Sequence, residues 1–511
     1  MYYVKKRNSR LFLFTVRGCV MSSTTGELAI EQFKGRKMIT TDVVEITKHN
    51  IHDVLGKAMS IHIRNRSQIR RLFEYEKGNQ NILYRQKDVR PEINNKIVEN
   101  HAHEIVNFKV GYVFGQPISY VQRANKDLSN TESSGDNVVD ALNEMMFEEG
   151  KYYKDQELAR TFSICGVGYR MVTPYKVKKG VSDFRITNLD PRFTFVVYSA
   201  DVFHEPMMGV TYWIDEDNMI HCTIYTENFV YKTTGRYGNV FTPDGKLEES
   251  INGIGAIPII EYKNDDSRMG CFERVLGLLE AINLSTSDRL NGLAQFVQSL
   301  LWFNDIGIDN EQFKLLREEG GISTKSLSDG KTPILQYIKT ELNQTEVQTL
   351  ADYLYMQVLQ ITGTPARGQS SGGNTGVALM LGESGWQLAE ENAQSAETLF
   401  GNSERQMMLV IKNIIERSKD NDISELCIAD IDIKFNRNKI SNLLNKTQAL
   451  MNLQTAGINM RHAIKTVDLF PDPQQVYKDS EKQLEKNVKE QTTEKVENEQ
   501  GLEKNVKEQG D

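Results

Sequence analysis

"IPIIEYKNDDSRMGCFERVLGLLEAINLSTSDRLN", from Ile257 to Asn291, contains the point at which the hydrophobic period of this chain changes. Upstream, residues 160–262 are predicted to be mainly strands, because runs such as "DFRITNLDPRFTFVVYS" (183–199) are rich in β-branched and aromatic residues. From Cys271 to Trp302, apolar residues recur in steps of three and four without a proline. This pattern predicts one helix of about 32 residues and ~48 Å, long enough to serve as a strut. Its charged residues, among them Asp288 and Arg289, exclude a membrane-spanning helix.

The elements that follow the strut alternate between helices and short irregular segments. Residues 304–341 are mixed and glycine-bearing, which indicates a small compact insert. A second apolar helical stripe, from Val347 to Ile361, ends at Thr362-Gly363-Thr364-Pro365, where glycine and proline terminate helices. After a glycine-rich loop, a long amphipathic helix is predicted from about Glu383 to Ser418, with a kink at Gly401-Asn402. The strand "IADIDIKFN" (428–436) then leads to two shorter helices separated at Gly457-Ile458-Asn459.

The N-terminal part of the chain is predicted to be a helical region followed by strands. Residues 41–120 are predicted to be mainly helices, with Pro91 in the first turn of one of them. The window 61–90 is the most basic of the chain, and it fits either a solvated helix face or a patch for DNA or a partner. Two strand-like runs flank the polar turn "IDEDNM" (214–219), which predicts a hairpin. The fold class predicted from these elements is α+β and mainly helical.

The composition is that of a soluble globular protein with 39% apolar and 25% charged residues. The 511 residues favour roughly two to four structural units. A net charge of -8 does not favour a protein that grips nucleic acid through a basic surface. The five cysteines form no C-x-x-C pair, which is typical of reduced, cytosolic usage. The first 45 residues are interpreted as a partly disordered leader with a start at Met1 or Met21, and residues 479–511 as a charged, disordered tail.

Several short motifs imitate catalytic or ligand-binding sites and are rejected on their context. Gly368-Gln369-Ser370-Ser371-Gly372 fits G-x-S-x-G, but a nucleophile elbow needs a preceding strand, and a helix precedes this serine. Gly330-Lys331-Thr332 lacks the first glycine of a phosphate-binding loop. His101, His103 and Glu104 are interpreted as a solvated helix end rather than metal ligands. The sequence therefore predicts no catalytic residue, no cofactor and no metal.

The order of these segments resembles that of bacteriophage portal proteins of the SPP1-like siphophage family. The quoted stretch is similar to the family's entry into its first stem helix, and "GYVFGQPISY" (111–120) to an early G-Y-x-x-G-x-P segment. "ICGVGYRMV" (164–172) and "LDPRFTFVVY" (189–198) resemble wing strands, and "TGTPARGQSSGGNTGVAL" (362–379) resembles the tunnel loop. "IKFNRN" (433–438), followed by helices and "FPDP" (470–473), resembles the passage into the crown. The resemblance covers roughly residues 45–480.

The resemblance implies a portal fold with wing, stem, clip and crown regions. The implied regions are the leader at 1–45, the wing at 46–268, the first stem helix at 269–303, the clip at 304–341, the second stem helix at 342–366, the tunnel loop at 367–382, a long kinked wing helix at 383–430, the crown at 431–478 and the tail at 479–511.

The resemblance also implies a homo-oligomeric, dodecameric ring at one capsid vertex of the virion, assembled in the host cytoplasm without a membrane. Double-stranded DNA passes through the ring during packaging and ejection. The expected partners are the large terminase, the head–tail connector, and the scaffolding and major capsid proteins. The implied DNA-channel loop consists of Arg367, Gly368, Gln369, Ser370, Ser371, Gly372, Gly373, Asn374, Thr375 and Gly376. The expected partner contacts of the clip are Glu318, Glu319, Lys325, Asp329 and Lys331.

Two other classes of function stay open at this point. One is a serine hydrolase that uses Ser370, and the other is a non-viral helical scaffold protein with a flexible loop. A ring with a central hole favours the portal, whereas a monomer or dimer counts against it.

Overall fold

The computed structural model describes residues 35–88, 90–122, 134–175, 183–236, 242–297, 300–304, 314, 334–338, 344–366, 376–417, 427–437, 443–467, 476–477 and 480. Within this part of the chain, about half of the residues are helical and the fold is a mixed α/β fold rather than a mainly helical one.

Nine helices lie in the described part of the chain. They are α1 (Ile51–Glu76), α2 (His101–Val113), α3 (Ser134–Glu148), α4 (Lys151–Cys165), α5 (Leu276–Val297), α6 (Gln344–Thr362), α7 (Gly376–Arg417), α8 (Leu443–Thr455) and α9 (Met460–Val467).

The described strands form four sheets. The strands are β1 (Thr40–Thr41), β2 (Ile118–Gln122), β3 (Val167–Pro174), β4 (Phe184–Leu189), β5 (Thr194–Ser199), β6 (Pro206–Ile214), β7 (Met219–Tyr225), β8 (Phe229–Arg236), β9 (Thr242–Ile251), β10 (Ile259–Lys263), β11 (Leu300–Asn304), β12 (Ile334–Ile338) and β13 (Ile431–Phe435). One sheet has the order β1-β5-β6-β7-β8-β9, a second has the order β10-β3-β4, and β11–β12 and β13–β2 form pairs. β1 runs parallel to β5, and the other pairings are antiparallel.

In the six-stranded sheet, β7 and β8 alternate between buried and more exposed residues, whereas β5 is buried from Thr194 to Val197. α1 covers the inward face, where Ile51, Leu55 and Met59 join one buried cluster with residues of β5 to β8. The predicted hairpin is confirmed as β6 and β7, and the Asp215 side chain accepts from two amides of the connecting turn. β13 and the two helices after it are confirmed as well. Gly457, between those helices, has a φ of +81°, which favours glycine.

Three helical predictions differ from the structure in their extent. The strut helix ends at Val297 and not at Trp302, because Leu300 to Asn304 pair with β12 as a strand. Its helical start is at Leu276, after a 3-10 turn. The long helix begins seven residues earlier than predicted, at Gly376, and runs without interruption through Gly401 and Asn402, where a kink was expected. A single glycine inside a helix costs only about 1 kcal/mol, too little to break a helix of this length.

The segment around Pro91 is not helical, so the prediction of a first-turn proline is wrong. Residues 95–99 lie alongside α5, and every second backbone amide finds its acceptor there instead of within a helix. The amides of Asn95, Ile97 and Glu99 donate to Asn291 Oδ1 (2.7 Å), Ser287 Oγ (2.9 Å) and Asn283 Oδ1 (2.8 Å). The three acceptors are buried and spaced four residues apart on α5, so the helix serves as the partner of an extended strand.

Residues 35–41, which the sequence places in the leader, form a strap that is part of the fold. Its Arg36 is buried, pairs with Glu273 and donates to the Cys165 carbonyl at 3.0 Å. Glu273 lies in the 3-10 turn that precedes α5 and also accepts from the Gly270 amide at 2.9 Å. The strap therefore connects the edge of the large sheet to the base of α5.

A buried cluster of four charged side chains connects α7 to the body of the protein. It consists of Lys151 and Asp155 of α4, Arg170 of β3 and Glu404 of α7. Arg170 contacts Asp155 at 2.7 Å and Glu404 at 3.1 Å, and Lys151 contacts the same two carboxylates at 2.6 and 3.1 Å. Two cations thus face two anions, which removes the large cost of an unpaired buried charge.

Two tyrosines complete this charge cluster through Glu404. Tyr120 of β2 and Tyr262 of β10 both donate their hydroxyls to its carboxylate. Burial and the Glu404 charge raise the pKa of both tyrosines well above the usual value, so they remain donors. Burial alone would raise the pKa of Glu404, but Lys151 and Arg170 outweigh it and the pKa is lowered. Glu404 is therefore ionised and connects α4, β2, β3 and β10 to α7.

We expect Arg170→Met to destabilise the protein by about 3–5 kcal/mol, because it leaves buried carboxylates without one of their two cations. Denaturant unfolding followed by circular dichroism measures this loss. Arg192→Met is the matched control, since Arg192 pairs with Asp190 at the surface and such pairs contribute ~1 kcal/mol or less. Equal losses in the two variants would contradict the role of the charge cluster.

Candidate functional site: the paired helices and the ends of the glycine-rich loop

The structure describes the helices and strands on either side of the predicted sites, which we call the frame, but not most residues of the sites themselves. Of the predicted channel-loop residues, Gly376 is the first residue of α7, and Arg367 to Thr375 lie outside the described residues. Ser370, the serine of the G-x-S-x-G motif, is among those residues. The five predicted clip contacts, at positions 318, 319, 325, 329 and 331, also lie outside them. What the structure shows is how the elements on either side of these segments are held.

α5 and α6 pack against each other and continue into the β11–β12 hairpin. The chain leaves α5 into β11 and returns through β12 into α6, so the two helices are antiparallel. Arg289 of α5 donates to Gln348 of α6 along this contact. At the other end of the pair, Leu279, Ile282 and Val358 are buried in a cluster with residues of α1 and α2. The base of the pair is thus embedded in the body, and its two strands are the point from which residues 305–333 depart.

Two histidines that the sequence places at a solvated helix end contribute to the base of this pair. His101 contacts Glu99 and Glu104 at 3.2 and 3.0 Å and lies against the ring of Tyr355 on α6, with 4.4 Å between centroids. His103 contacts the buried Glu76 of α1 at 2.7 Å. The interpretation of His101 as solvated is therefore wrong, because stacking and two carboxylates hold it between α2 and α6.

A glycine-based stop ends α6 in front of the glycine-rich loop. The amide of Thr364 donates to the Leu359 carbonyl at 2.9 Å, and that of Gly363 donates to Gln360 at 3.3 Å. These are the two hydrogen bonds of a Schellman motif, and Gly363 has the positive φ, +65°, that the motif requires. A Cβ on Gly363 would lie 2.1 Å from Asn392 Nδ2 on α7. The glycine therefore fixes both the end of α6 and its close approach to α7.

The N-terminal half of α7 is held near the same point. A Cβ on Gly385 would lie 3.9 Å from the Cα of Pro365, so the start of the loop lies beside the third turn of α7. Trp386 packs on Phe108 and Tyr112 of α2, with ring centroids 6.1 and 5.8 Å apart. The Tyr112 hydroxyl donates to Glu390 at 2.9 Å. Both ends of the loop are therefore carried by rigid, packed helices.

No group of three or more His, Cys, Asp or Glu side chains with metal-binding geometry occurs among the described residues. The most strongly shifted histidine, His62, has its pKa lowered to about 3 by burial against Phe195 and Tyr212. It is therefore a neutral core residue. None of the described helices is both long and apolar enough to cross a membrane.

Sequence reasoning missed the side chains that build this frame. Asn283, Ser287 and Asn291 repeat every four residues, a polar row that periodicity would detect if polar positions were counted as well as apolar ones. Glu404 gave no local signal, because its partners lie between 142 and 284 positions away in the chain.

A comparison with protein families places most of this chain in one of them. Residues 56–490 match the family described as "Phage portal protein, SPP1 Gp6-like". No curated protein matches the chain. The matched region contains all nine helices named above except the first five residues of α1. The chain belongs to the SPP1 Gp6-like family of phage portal proteins.

Proposed function

We propose that this chain is one subunit of a dodecameric ring at a capsid vertex, and that double-stranded DNA enters and leaves through the centre of the ring. The family is one of phage structural proteins, which supports a role in the virion without enzymatic activity. The structural observation that carries the proposal is the antiparallel α5/α6 pair, which projects its hairpin from the body and leaves apolar side chains exposed on both helices.

The exposed apolar side chains on α5 and α6 support a ring in which each copy packs on the next. They are Leu284, Leu290 and Leu293 of α5 and Leu350, Tyr353 and Ile361 of α6. Each is at least a third exposed in the single chain, so contact with another copy would remove apolar surface from water. In a contact of this kind, two different surfaces of neighbouring copies meet. Such contacts close into a ring when a whole number of identical rotations between copies makes a full turn.

The charges on the paired helices suit a wall past which DNA moves. The described residues of α5 and α6 contain four carboxylates and one arginine: Glu280, Asp288, Glu346, Asp352 and Arg289. Asp288 is paired with Arg85 at 2.7 Å, and the other three carboxylates still outnumber the one arginine of the two helices. Many lysine or arginine contacts with phosphates would instead hold the duplex, since each contact adds a counterion-release contribution that the ring multiplies. A mainly acidic pair of helices avoids such retention.

The ends of the glycine-rich loop allow it to reach away from the helices. Pro365 lies beside Gly385, and α7 begins nine residues before Gly385, which places its start about 14 Å away along the helix axis. The ten residues 366–375 can span about 35 Å when extended, more than twice that distance. We infer that residues 367–376 project into the channel, where Arg367 supplies the one charged phosphate contact and the hydroxyl and amide side chains make exchangeable hydrogen bonds.

The other regions follow from the same proposal. Residues 46–268 with 383–430 form the wing, which meets scaffolding and capsid proteins, and residues 431–478 form the crown. The clip, residues 304–341, extends from the β11–β12 hairpin and receives the large terminase during packaging and the head–tail connector afterwards. Segments that project from a rigid pair of helices are suited to partner contacts.

Leu293→Glu should lower the mass of the oligomer, because it places a charge in the apolar contact between copies. Light scattering at fixed protein concentration measures that mass. Leu409→Glu is a matched control, since Leu409 of α7 is 53% exposed and Leu293 is 54% exposed. A Leu293→Glu protein that still forms the complete ring would show that this face of α5 is not the contact.

Arg367→Glu should leave rings intact and reduce the amount of DNA packaged, because it replaces the one cation of the loop with a charge that phosphates repel. Substitution is a cleaner test than deletion, since removal of the whole loop would force α7 to unwind across the gap of about 14 Å. Packaged genome per particle is the measurement, with Arg236→Glu, an exposed arginine of β8 outside the basic window 61–90, as control. Normal packaging by Arg367→Glu would mean that the loop does not touch DNA.

The double variant Lys325→Glu/Lys331→Glu should weaken terminase docking while rings still form, because the two lysines are expected on the exposed surface of the clip. A pull-down of terminase by purified rings tests this, with Lys232→Glu, an exposed lysine of β8, as control. Undiminished docking would place the terminase contact outside these two lysines.

A further inference from the structure

The turn between β5 and β6 is a rigid projection at one end of the six-stranded sheet. Asp201 Oδ1 accepts from the Ser199 hydroxyl at 2.6 Å and from the amides of Phe203 and His204 at 3.1 and 3.0 Å. The amide of Glu205 donates back to Ser199 Oγ at 2.9 Å. These bonds hold His204 at a φ of +50°, which non-glycine residues rarely adopt. The conformation of the turn is therefore fixed by its own side chains.

This turn displays two large apolar side chains to solvent. Val202 is 91% and Phe203 is 82% exposed. The turn also extends beyond its neighbours, because β7 ends opposite Gly209, whereas Pro206 and Met208 of β6 pair only with β5 and Met207 lies at a bulge between them. Three strand residues correspond to about 10 Å of projection. A rigid apolar projection binds a partner with little loss of conformational entropy, which favours a docking role.

The surroundings of the projection are acidic. Because β1 and β5 are parallel, residues 41–44 leave the sheet at the same end, and the β7–β8 turn at 225–229 lies there too. These two segments and the turn 199–206 contain Asp42, Asp201, Glu205 and Glu227 and no lysine or arginine. Arg417 of α7 reaches only the β9 corner, where it is bonded to the Gly253 carbonyl. We call the three segments the acidic end of the sheet. Its ligand should combine apolar and cationic side chains.

The first 21 residues of this chain have that composition. They contain five cations and no acidic residue, since the first carboxylate of the chain is Glu27. The cations are Lys5, Lys6, Arg7, Arg10 and Arg17, and the apolar run "LFLF" lies at 11–14. Residues 1–34 lie outside the described residues, and residues 1–55 precede the region that the portal family accounts for.

The length of the connection also fits. The described chain begins at Gly35 and follows the strap to Thr41, six residues further on, which is at most about 20 Å from Gly35. Residues 22–34 connect this point to the basic segment, and 13 residues of flexible chain have an r.m.s. length of about 20 Å. Effective concentration is highest when the r.m.s. length of a tether matches the distance that it spans.

We propose that residues 1–21 dock on the acidic end of the sheet of the same subunit, with the apolar run at 11–14 on Val202 and Phe203 and the cations beside the four carboxylates. The contact covers the largest exposed apolar side chains of this turn. It does not depend on ring formation, so its failure and the failure of the portal proposal are separate results.

The experiment compares the full chain with the full-length variant Leu11→Ser/Phe12→Ser/Phe14→Ser. Hydroxyl-radical footprinting read by mass spectrometry should show that Phe203 is oxidised several-fold more in the variant. Trp213, which is exposed elsewhere on β6, is the internal control and should be oxidised equally in both proteins. Equal oxidation of Phe203 in the two proteins overturns the proposal, whether Phe203 is free in both or covered by another molecule in both.

A carbodiimide cross-link identifies the copy that supplies the segment. In an equal mixture of isotopically labelled and unlabelled subunits, Lys5 or Lys6 should join Asp201 or Glu205 within chains of one label. Cross-links between the two labels would show a contact between copies and overturn the assignment to the same subunit. Loss of these cross-links in Val202→Ser/Phe203→Ser, with retention in Trp213→Ser, is the expected result, and retention in both contradicts the proposed contact.

Discussion

The Glu404 carboxylate is the interaction on which the arrangement of α7 depends. It lies about two thirds of the way along α7, the longest helix of the described residues, and accepts from Arg170, Lys151, Tyr120 and Tyr262, which belong to four other elements. A buried anion of this kind is tolerated only when cations and hydrogen-bond donors surround it. Its geometry therefore sets the position of α7 relative to the three-stranded sheet and to the β13–β2 pair. Gly385, which lies beside Pro365, is about 29 Å away on the same helix, towards its N-terminus. The position of the N-terminal part of α7 is in this way determined by a contact inside the body.

The paired helices are fixed by a second constraint, which is the need of buried amides for acceptors. Residues 95–99 donate their amides to the side chains of α5 rather than to a neighbouring strand. Short polar side chains at every fourth position of a helix can accept from alternate amides of an extended segment. The spacings agree because four helical residues rise about 6 Å, which is close to the distance between alternate residues of a strand. α5 therefore cannot shift along its axis without breaking several of these bonds together.

The sequence predicted correctly those elements that are determined by residues close to one another in the chain. The β6–β7 hairpin, the stop at Gly363 and the strand–helix–helix order after residue 427 are confirmed, because turn residues and periodicity determine them. The errors arise where partners lie far away in the chain. Residues 91–100 carry a helical pattern but find their acceptors some 190 positions later, and Leu300 to Asn304 pair with β12. The family was predicted from the order of motifs and is confirmed, whereas the roles of Arg367 to Thr375 stay predictions because these residues are not described.

The strap at residues 35–41 limits how this protein can be used as a module. Arg36 supplies the cation for the buried Glu273, yet it lies 20 positions before the region that matches the family. A chimera that transplanted only residues 56–490 into another portal protein would carry Glu273 without that cation and would expose the edge of β5 that β1 covers. The structural unit that has to be transferred therefore begins at Gly35, so that the strap moves together with Glu273 and α5.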